Sequence, residues 1–166
     1  SAHHVISAGS CTTNCVVPMV KVLHDSFGVR RAFMSTIHAY TRDQNLVDAK
    51  HKDLRRARAA AMNIIPTSTG AAKAVSRVIP ELEGKMNGVA FRVPTPVVSV
   101  VDLVTDLQQP VSEGVVNEAF MAAASGPMEG YLYYERDELV SSDFRDPPGS
   151  SIFDAPSTLV VDGAMA

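Results

Sequence analysis

Cysteine is scarce in this chain: only Cys11 and Cys15 occur among 166 residues. That excludes the disulfide framework of a small secreted domain and reads as a reduced, cytoplasmic protein. An excess of charge of one sign is missing as well. Fifteen Lys and Arg stand against 18 Asp and Glu, a formal net charge of −3. No global field draws in nucleic acid or an anionic membrane, so neither is expected as a partner, and any anion binding must be local. Nothing approaches the roughly 18 consecutive apolar residues that span a bilayer, and the first residues lack the basic-then-apolar order of a signal peptide. There is no internal repeat, no low-complexity tract and no linker rich in Gly, Ser or Pro to divide the chain. The initiator Met is missing too, and SAHHVIS enters a strand-like run at once, as expected of a piece of a longer protein.

What is present is an apolar fraction of 46% against a charged fraction of 20%, enough for one domain with a real core over residues 1–166. After HHVIS, read as a strand, apolar residues recur at Val16, Met19, Val20, Leu23 and Phe27. This spacing predicts a helix with Cys11 at its start and Gly28 as its stop. Pro18, in the second turn, should cost a backbone bond or kink the helix. RRAFMSTIHAYT alternates Phe33, Ser35, Ile37 and Ala39 against Met34, Thr36, His38 and Tyr40, a strand with both faces used. Asp43 to Pro66 is polar, then rich in Ala and Arg; helix by propensity and long ordered loop both fit it. STGAAKAVSRVI predicts a second helix with Ala72, Val75, Val78 and Ile79 on one side. GVAFRVPTP and VVSVVDLVTDL read as neighbouring strands, with Pro94 and Pro96 at a strand end or turn. Ser112 caps a third helix that Gly126-Pro127 ends. GYLYYE, LVSSD, SSIFDA and STLVVDG read as short strands. The expected class is α+β, a largely antiparallel mixed sheet with helices on one face.

The cysteines admit several roles. A disulfide needs Cβ atoms about 3.8 Å apart, whereas positions four apart on a helix hold them at about 5–6 Å. A structural zinc site wants four ligands, and a second Cys pair is missing, so no metal is expected. A nucleophile remains: Cys11 at a helix start meets the positive end of the dipole and free N–H groups, which favour a thiolate and can hold an oxyanion. The alternative, two small buried apolar residues, stays open. Of the five histidines, His38 stands in an apolar and hydroxyl-bearing strand, either as a hydrogen-bonded core residue or as a partner for Cys11. Hydroxyls and N–H groups suited to anions gather in SCTT and STG, ahead of two helices. Arg55, Arg56 and Arg58 add forked donors, and Arg92, inside the strand AFRVPT, needs an anionic partner if it points inward.

SCTTNC, HAYT, DLRRARAAAMNIIPTSTGAAKAV, IPEL, FRVPTP, SVVDL and LVSSDF, in this order and spacing, resemble the catalytic domain of phosphorylating glyceraldehyde-3-phosphate dehydrogenases over essentially the whole chain. The resemblance implies that Cys11 adds to an aldehyde as a thiohemiacetal and that His38 raises its nucleophilicity and acts as base. It implies Thr41 and Arg92 as the site for the C3 phosphate of glyceraldehyde 3-phosphate. Ser10, Thr12, Arg56, Thr69 and Gly70 match the site for the attacking inorganic phosphate, with Arg92 close to both. The thioester formed after oxidation would give 1,3-bisphosphoglycerate, a step of glycolysis. Cys15 matches a second, non-nucleophilic cysteine, and Asp43 to Pro66 a loop reaching toward cofactor and neighbouring subunits.

The same resemblance implies NAD or NADP as cofactor and a homotetramer for the intact enzyme. The dinucleotide-binding domain and a C-terminal segment with YDNE are expected outside this chain, so it should hold no complete cofactor site, bind no cofactor alone and lack dehydrogenase turnover. Three positions depart from the common pattern: Ala8-Gly9 for Asn-Ala, Val97 for Asn after PTP, and Ala49-Lys50 where NAD-preferring members often carry Leu-Pro. The last leaves the choice between NAD and NADP open. Two alternatives accompany this reading: an erythrose-4-phosphate dehydrogenase, which typically departs from IIPTSTGAAKAV, and a catalytically silent interaction or assembly fragment.

Overall fold

A computed structural model describes residues 3–146 and 149–166. Helix α1, Cys11–Phe27, begins where the Ser10 side chain accepts the Thr13 N–H at 3.0 Å. It ends at Gly28, whose φ of 70° is left-handed and whose N–H returns to the His24 carbonyl at 3.0 Å. The helix runs past Pro18 without a break, although proline withdraws the N–H that would meet the Asn14 carbonyl. The other elements are β1 (Val29–Ala39), β2 (Ile65–Thr67), α2 (Ala71–Val78), β3 (Met86–Val93), β4 (Val100–Leu107), α3 (Glu113–Ala124), β5 (Leu132–Glu135) and β6 (Ser151–Asp154).

The fold is α+β, as expected. Four strands form a mixed sheet in the order β2-β3-β1-β4, and β5 pairs with β6 in a separate parallel ribbon. β1 is parallel to β3 and antiparallel to β4, while β2 is antiparallel to β3. On one face the α1 residues Val16, Val20, Leu23 and Phe27 share a buried cluster with Ala72 and Val75 of α2, Val116 and Phe120 of α3, Met34 of β1 and Leu107 of β4. Phe120 closes this core by stacking on Phe153, with centroids 3.7 Å apart. On the other face Phe33, Ile37, Val100 and Val104 are exposed.

Several expectations fail for physical reasons. HHVIS forms no strand, and Val5 and Ile6 are exposed. β3 and β4 are not neighbours, because β1 lies between them and hydrogen-bonds to both. A strand that alternates usefully on both faces is suited to a central place, and chain adjacency concealed that. LVSSD overlaps a 3-10 turn at Ser141–Phe144 instead of a strand, and STLVVDG contributes only a bridge from Val161 to Met165. Val78 is exposed while Val75 and Ile79 are buried. Of the two readings open for Asp43 to Pro66, the ordered loop is the one formed; it has one helical turn, Ala60–Met62, and runs into β2 at Ile65. There the Asp48 and Asp53 carboxylates accept the N–H groups of Ala59 at 2.8 Å and Arg55 at 2.9 Å, capturing donors that a helix would use.

Close approach of β1 and β3 needs a glycine. A Cβ at Gly88 would stand 2.5 Å from Met34 Cγ and 2.7 Å from the Met34 carbonyl oxygen. Gly88→Ala must therefore push the two strands apart, and we expect it to cost about 1–3 kcal/mol by overpacking. Urea unfolding of parent and variant measures this.

Candidate active site

The position of the site follows from element lengths. The 17 residues of α1 make a rod of about 24 Å at ~1.5 Å per residue. The chain reverses at Gly28, and the strand from Val29 to His38 covers about 30 Å. The end of β1 thus returns to the level where α1 began. Cys11 Sγ and His38 Nε2 lie 3.4 Å apart. Asn14 ties the approach segment to the helix, its side-chain amide donating to the Ala8 carbonyl at 2.7 Å and the Ser10 carbonyl at 2.9 Å. The departure at Ala8-Gly9 has a use, since Gly9 takes a left-handed φ of 71° that alanine adopts only with strain.

Arg92 is drawn to the same place by pairing. The parallel register sets His38 opposite Arg92, and Arg92 Nη1 donates to the Ala39 carbonyl at 2.9 Å. His38 Nδ1 lies 2.6 Å from that carbonyl and 2.5 Å from Arg92 Nη1. Arginine only donates, and its Nη1 is satisfied by the carbonyl. We therefore assign the ring proton to Nδ1, donating to Ala39, which leaves the Nε2 lone pair facing the Cys11 thiol. Burial, and then the charges of Arg92 and Arg56, push the His38 pKa below its ordinary value, against the opposing Ala39 bond. The ring is neutral at neutral pH and able to take a proton. The β1 end is secured from the other side by Ser99 Oγ, which accepts the Ala39 N–H at 3.2 Å; this hydroxyl follows Val98, a β-branched residue held at a φ of 65°.

The cysteines differ sharply. Cys11 is exposed, whereas Cys15 is part-buried, and burial pushes its thiol pKa up despite a Ser151 hydroxyl 3.8 Å from the sulfur.

Beside the pair is a cavity of about 370 Å³ lined by Ser10, Thr12, His38, Thr69, Gly70 and Arg92, all anticipated in the sequence, together with Thr13, Thr36, Ser68, Ala71 and Ala90. It takes in the starts of α1 and α2, so two helix dipoles present their positive ends to it. Thr69 Oγ1 also accepts the Ala71 N–H at 3.2 Å. Thr41 and Arg56 do not line it. Thr41 is exposed just beyond β1, its N–H meeting Gln44 Oε1 at 3.4 Å. Arg56 is held by the Asp43 carboxylate and by Thr67 Oγ1 at 3.0 Å. Its charge still reaches the cavity, helping to lower the pKa of Arg92 after the larger effect of burial. Thr36 was the missed lining residue with a readable signal, since alternation had already placed it on the same face as His38.

Among the described residues, no helix is long and apolar enough to cross a membrane and no cluster of three or more His, Cys, Asp or Glu could hold a metal ion. The cavity's lining of hydroxyls and one guanidinium has the donor chemistry of an anion site.

A thiol facing an imidazole beside a cavity lined by hydroxyls and Arg92 has the chemistry of an activated cysteine next to an anion-binding hollow. Residues 10–166 match the glyceraldehyde 3-phosphate dehydrogenase C-terminal domain, and the chain belongs to that family. It is 59% identical over 164 residues to a glyceraldehyde-3-phosphate dehydrogenase of Geobacillus stearothermophilus, covering 99% of this chain and 49% of that protein. It is 58% identical over 163 residues to glyceraldehyde-3-phosphate dehydrogenase 1 of Bacillus subtilis (strain 168), covering 98% and 49%. For glyceraldehyde-3-phosphate dehydrogenase 2 of Trichormus variabilis the identity is 57% over 161 residues, covering 97% and 48%. The chain spans about half the length of the curated relatives it matches.

The neutral burial of His38 makes stability depend on pH. The folded state resists a proton that the unfolded chain accepts below about pH 6.5. This contribution is whole above that pH and is lost as pH falls through the window beneath it. Urea midpoints should drop between about pH 7.5 and about pH 5.5, and His38→Gln should lessen the drop.

Proposed function

We propose that this chain is the catalytic half of a phosphorylating glyceraldehyde-3-phosphate dehydrogenase, oxidising glyceraldehyde 3-phosphate to 1,3-bisphosphoglycerate in cytoplasmic glycolysis. The observation that supports it most is the 3.4 Å approach of Cys11 Sγ to His38 Nε2 at a cavity of hydroxyls and Arg92. Nε2 takes the thiol proton and the thiolate adds to the aldehyde carbon, forming a C–S bond while the carbonyl electrons move to oxygen. Conversion of that thiohemiacetal to a thioester requires loss of a hydride, for which NAD or NADP would supply the acceptor in the intact enzyme. Thiol addition and the later phosphorolysis are the steps that Cys11, His38 and the cavity residues serve. In that second step a phosphate oxygen attacks the thioester carbonyl, the C–S bond breaks, and the departing thiolate takes back the proton held at His38 Nε2 as the acyl phosphate leaves.

Ser10, Thr12, Thr69 and Gly70 take the inorganic phosphate, with Arg56 supplying field from behind its carboxylates. Thr41 and Arg92 take the C3 phosphate at the β1 end. Activity on erythrose 4-phosphate is the weaker reading, because IIPTSTGAAKAV is intact here. Incubation with p-nitrophenyl acetate tests the half-reactions without a hydride acceptor. The parent should release a burst of nitrophenolate equal to its Cys11 content, and added phosphate should hasten loss of the acetyl group. Cys11→Ser should abolish the burst, and His38→Gln should slow it by about 10²–10⁴-fold. A parent with no burst, and with Cys11 and Cys15 alkylated equally slowly by iodoacetamide, would be a silent assembly fragment instead.

The exposed sheet face supports a homo-oligomer, a tetramer when intact. Phe33 and Ile37 of β1 lie beside Val104 and Val100 of β4 in register, and all four are exposed. A contiguous apolar patch of this kind marks an association surface. Ile37→Lys should shift sedimentation of the chain toward monomer; an unchanged profile with the parent already monomeric removes this assignment.

A further inference from the structure

Among the described residues, the buried side-chain polar atoms without a hydrogen-bond partner are Thr36 Oγ1, Gln44 Nε2, Asn45 Nδ2 and Arg92 Nε. Two of these four belong to residues lining one cavity, Thr36 and Arg92. Two other buried threonine hydroxyls show how such groups can be settled. Thr105 Oγ1, on β4, donates to the Ala166 carbonyl at 2.9 Å, and Thr67 Oγ1 accepts from Arg56 Nε at 3.0 Å. Thr36 is only 1% exposed and has no such partner. A buried hydroxyl left unpaired is costly, and in native proteins it usually signals a missing ligand or water.

Placement in the sheet says which ligand. In the β1–β3 register Thr36 pairs with Ala90 and His38 with Arg92. Residues two apart on a strand share a face, so these four form one patch, and all four line the cavity. Ala90, opposite Thr36, takes little room, so the floor there is recessed. The walls are hydroxyls from Ser10, Thr12 and Thr69. A flat carboxylate offers two acceptor oxygens, which wall groups can use; a tetrahedral oxyanion has a further oxygen directed downward, toward a donor in the floor.

We propose that Thr36 is a ligand of the inorganic phosphate, donating its Oγ1 proton to the innermost phosphate oxygen, with Arg92 Nε as companion donor. This rests on the reading of the cavity as the inorganic-phosphate pocket. The role belongs to the hydroxyl, so the valine of equal shape loses it and serine retains it.

The test is a titration of the full chain with inorganic phosphate, followed by NMR of the threonine methyl groups. In the parent the Thr36 methyl resonance should move along the same binding curve as those of Thr12 and Thr69. Thr36→Val should weaken phosphate binding about tenfold or more, while Thr36→Ser stays near the parent. A Thr36 methyl that does not move while those of Thr12 and Thr69 do overturns the assignment and leaves the pocket reading standing, and it decides the matter even where Thr36→Val fails to fold. Thr36→Val binding like the parent, or Thr36→Ser weakened as far as Thr36→Val, overturns it as well. Failure of every threonine in the parent to respond removes the pocket reading itself, and this inference with it.

Discussion

Everything at the site depends on the pairing of β1 with β3. That parallel register sets Arg92 against His38 and lets the Ala39 carbonyl receive the guanidinium at 2.9 Å and the ring N–H at 2.6 Å. One carbonyl thereby orients an imidazole and anchors a cation that would otherwise need a carboxylate. It also bears on the protonation state: a fixed positive charge beside a buried ring opposes a second one. The ring's Nε2 stays turned toward the Cys11 sulfur. Gly88 lies in this same pairing, opposite Met34, so the absence of one methyl group there is part of what aligns the chemistry.

The second constraint is electrostatic and is spread over several elements. Two helix N-termini and Arg92 meet at one cavity, while Arg56 stands behind with its charge offset by Asp43, whose carboxyl it holds below the usual range. In a protein with a slight negative net charge, such a positive hollow is a local construction. It costs the chain two unpaired buried donors, an expense expected where a ligand completes the structure.

Much of this was legible in the residues. Helical spacing located α1, and its boundaries at Cys11 and Gly28 followed from a small polar cap and a glycine stop. Period-two alternation placed Thr36 and His38 on a common face, and the anion-binding character of SCTT and STG was evident from their hydroxyls. Long-range pairing was not legible. Nothing local says that β1 enters between β3 and β4, because each strand has apolar residues that would suit either neighbour. The stretch from Asp43 to Pro66 stayed open between helix and loop: its alanines and arginines favour a helix, and Asp48 and Asp53 decide for the loop by competing for backbone donors. HHVIS has strand-like composition and forms no strand, because composition cannot supply a neighbour to pair with. Arg56 was placed in the phosphate site by resemblance, whereas its hydrogen bonds in this chain go to Asp43 and Thr67.

Ile37 and His38 are adjacent in the chain and face opposite sides of the sheet, the first exposed on the apolar face and the second buried beside the nucleophile. A single strand thus carries two interleaved texts, written on odd and even positions. Substitutions on one can drift without rewriting the other, so the surface and the chemistry are separately mutable. They are not separately mobile. Any weight laid on the outer face bears on the same backbone that holds the imidazole, and the stiffness of the base is partly a property of whatever covers its reverse side.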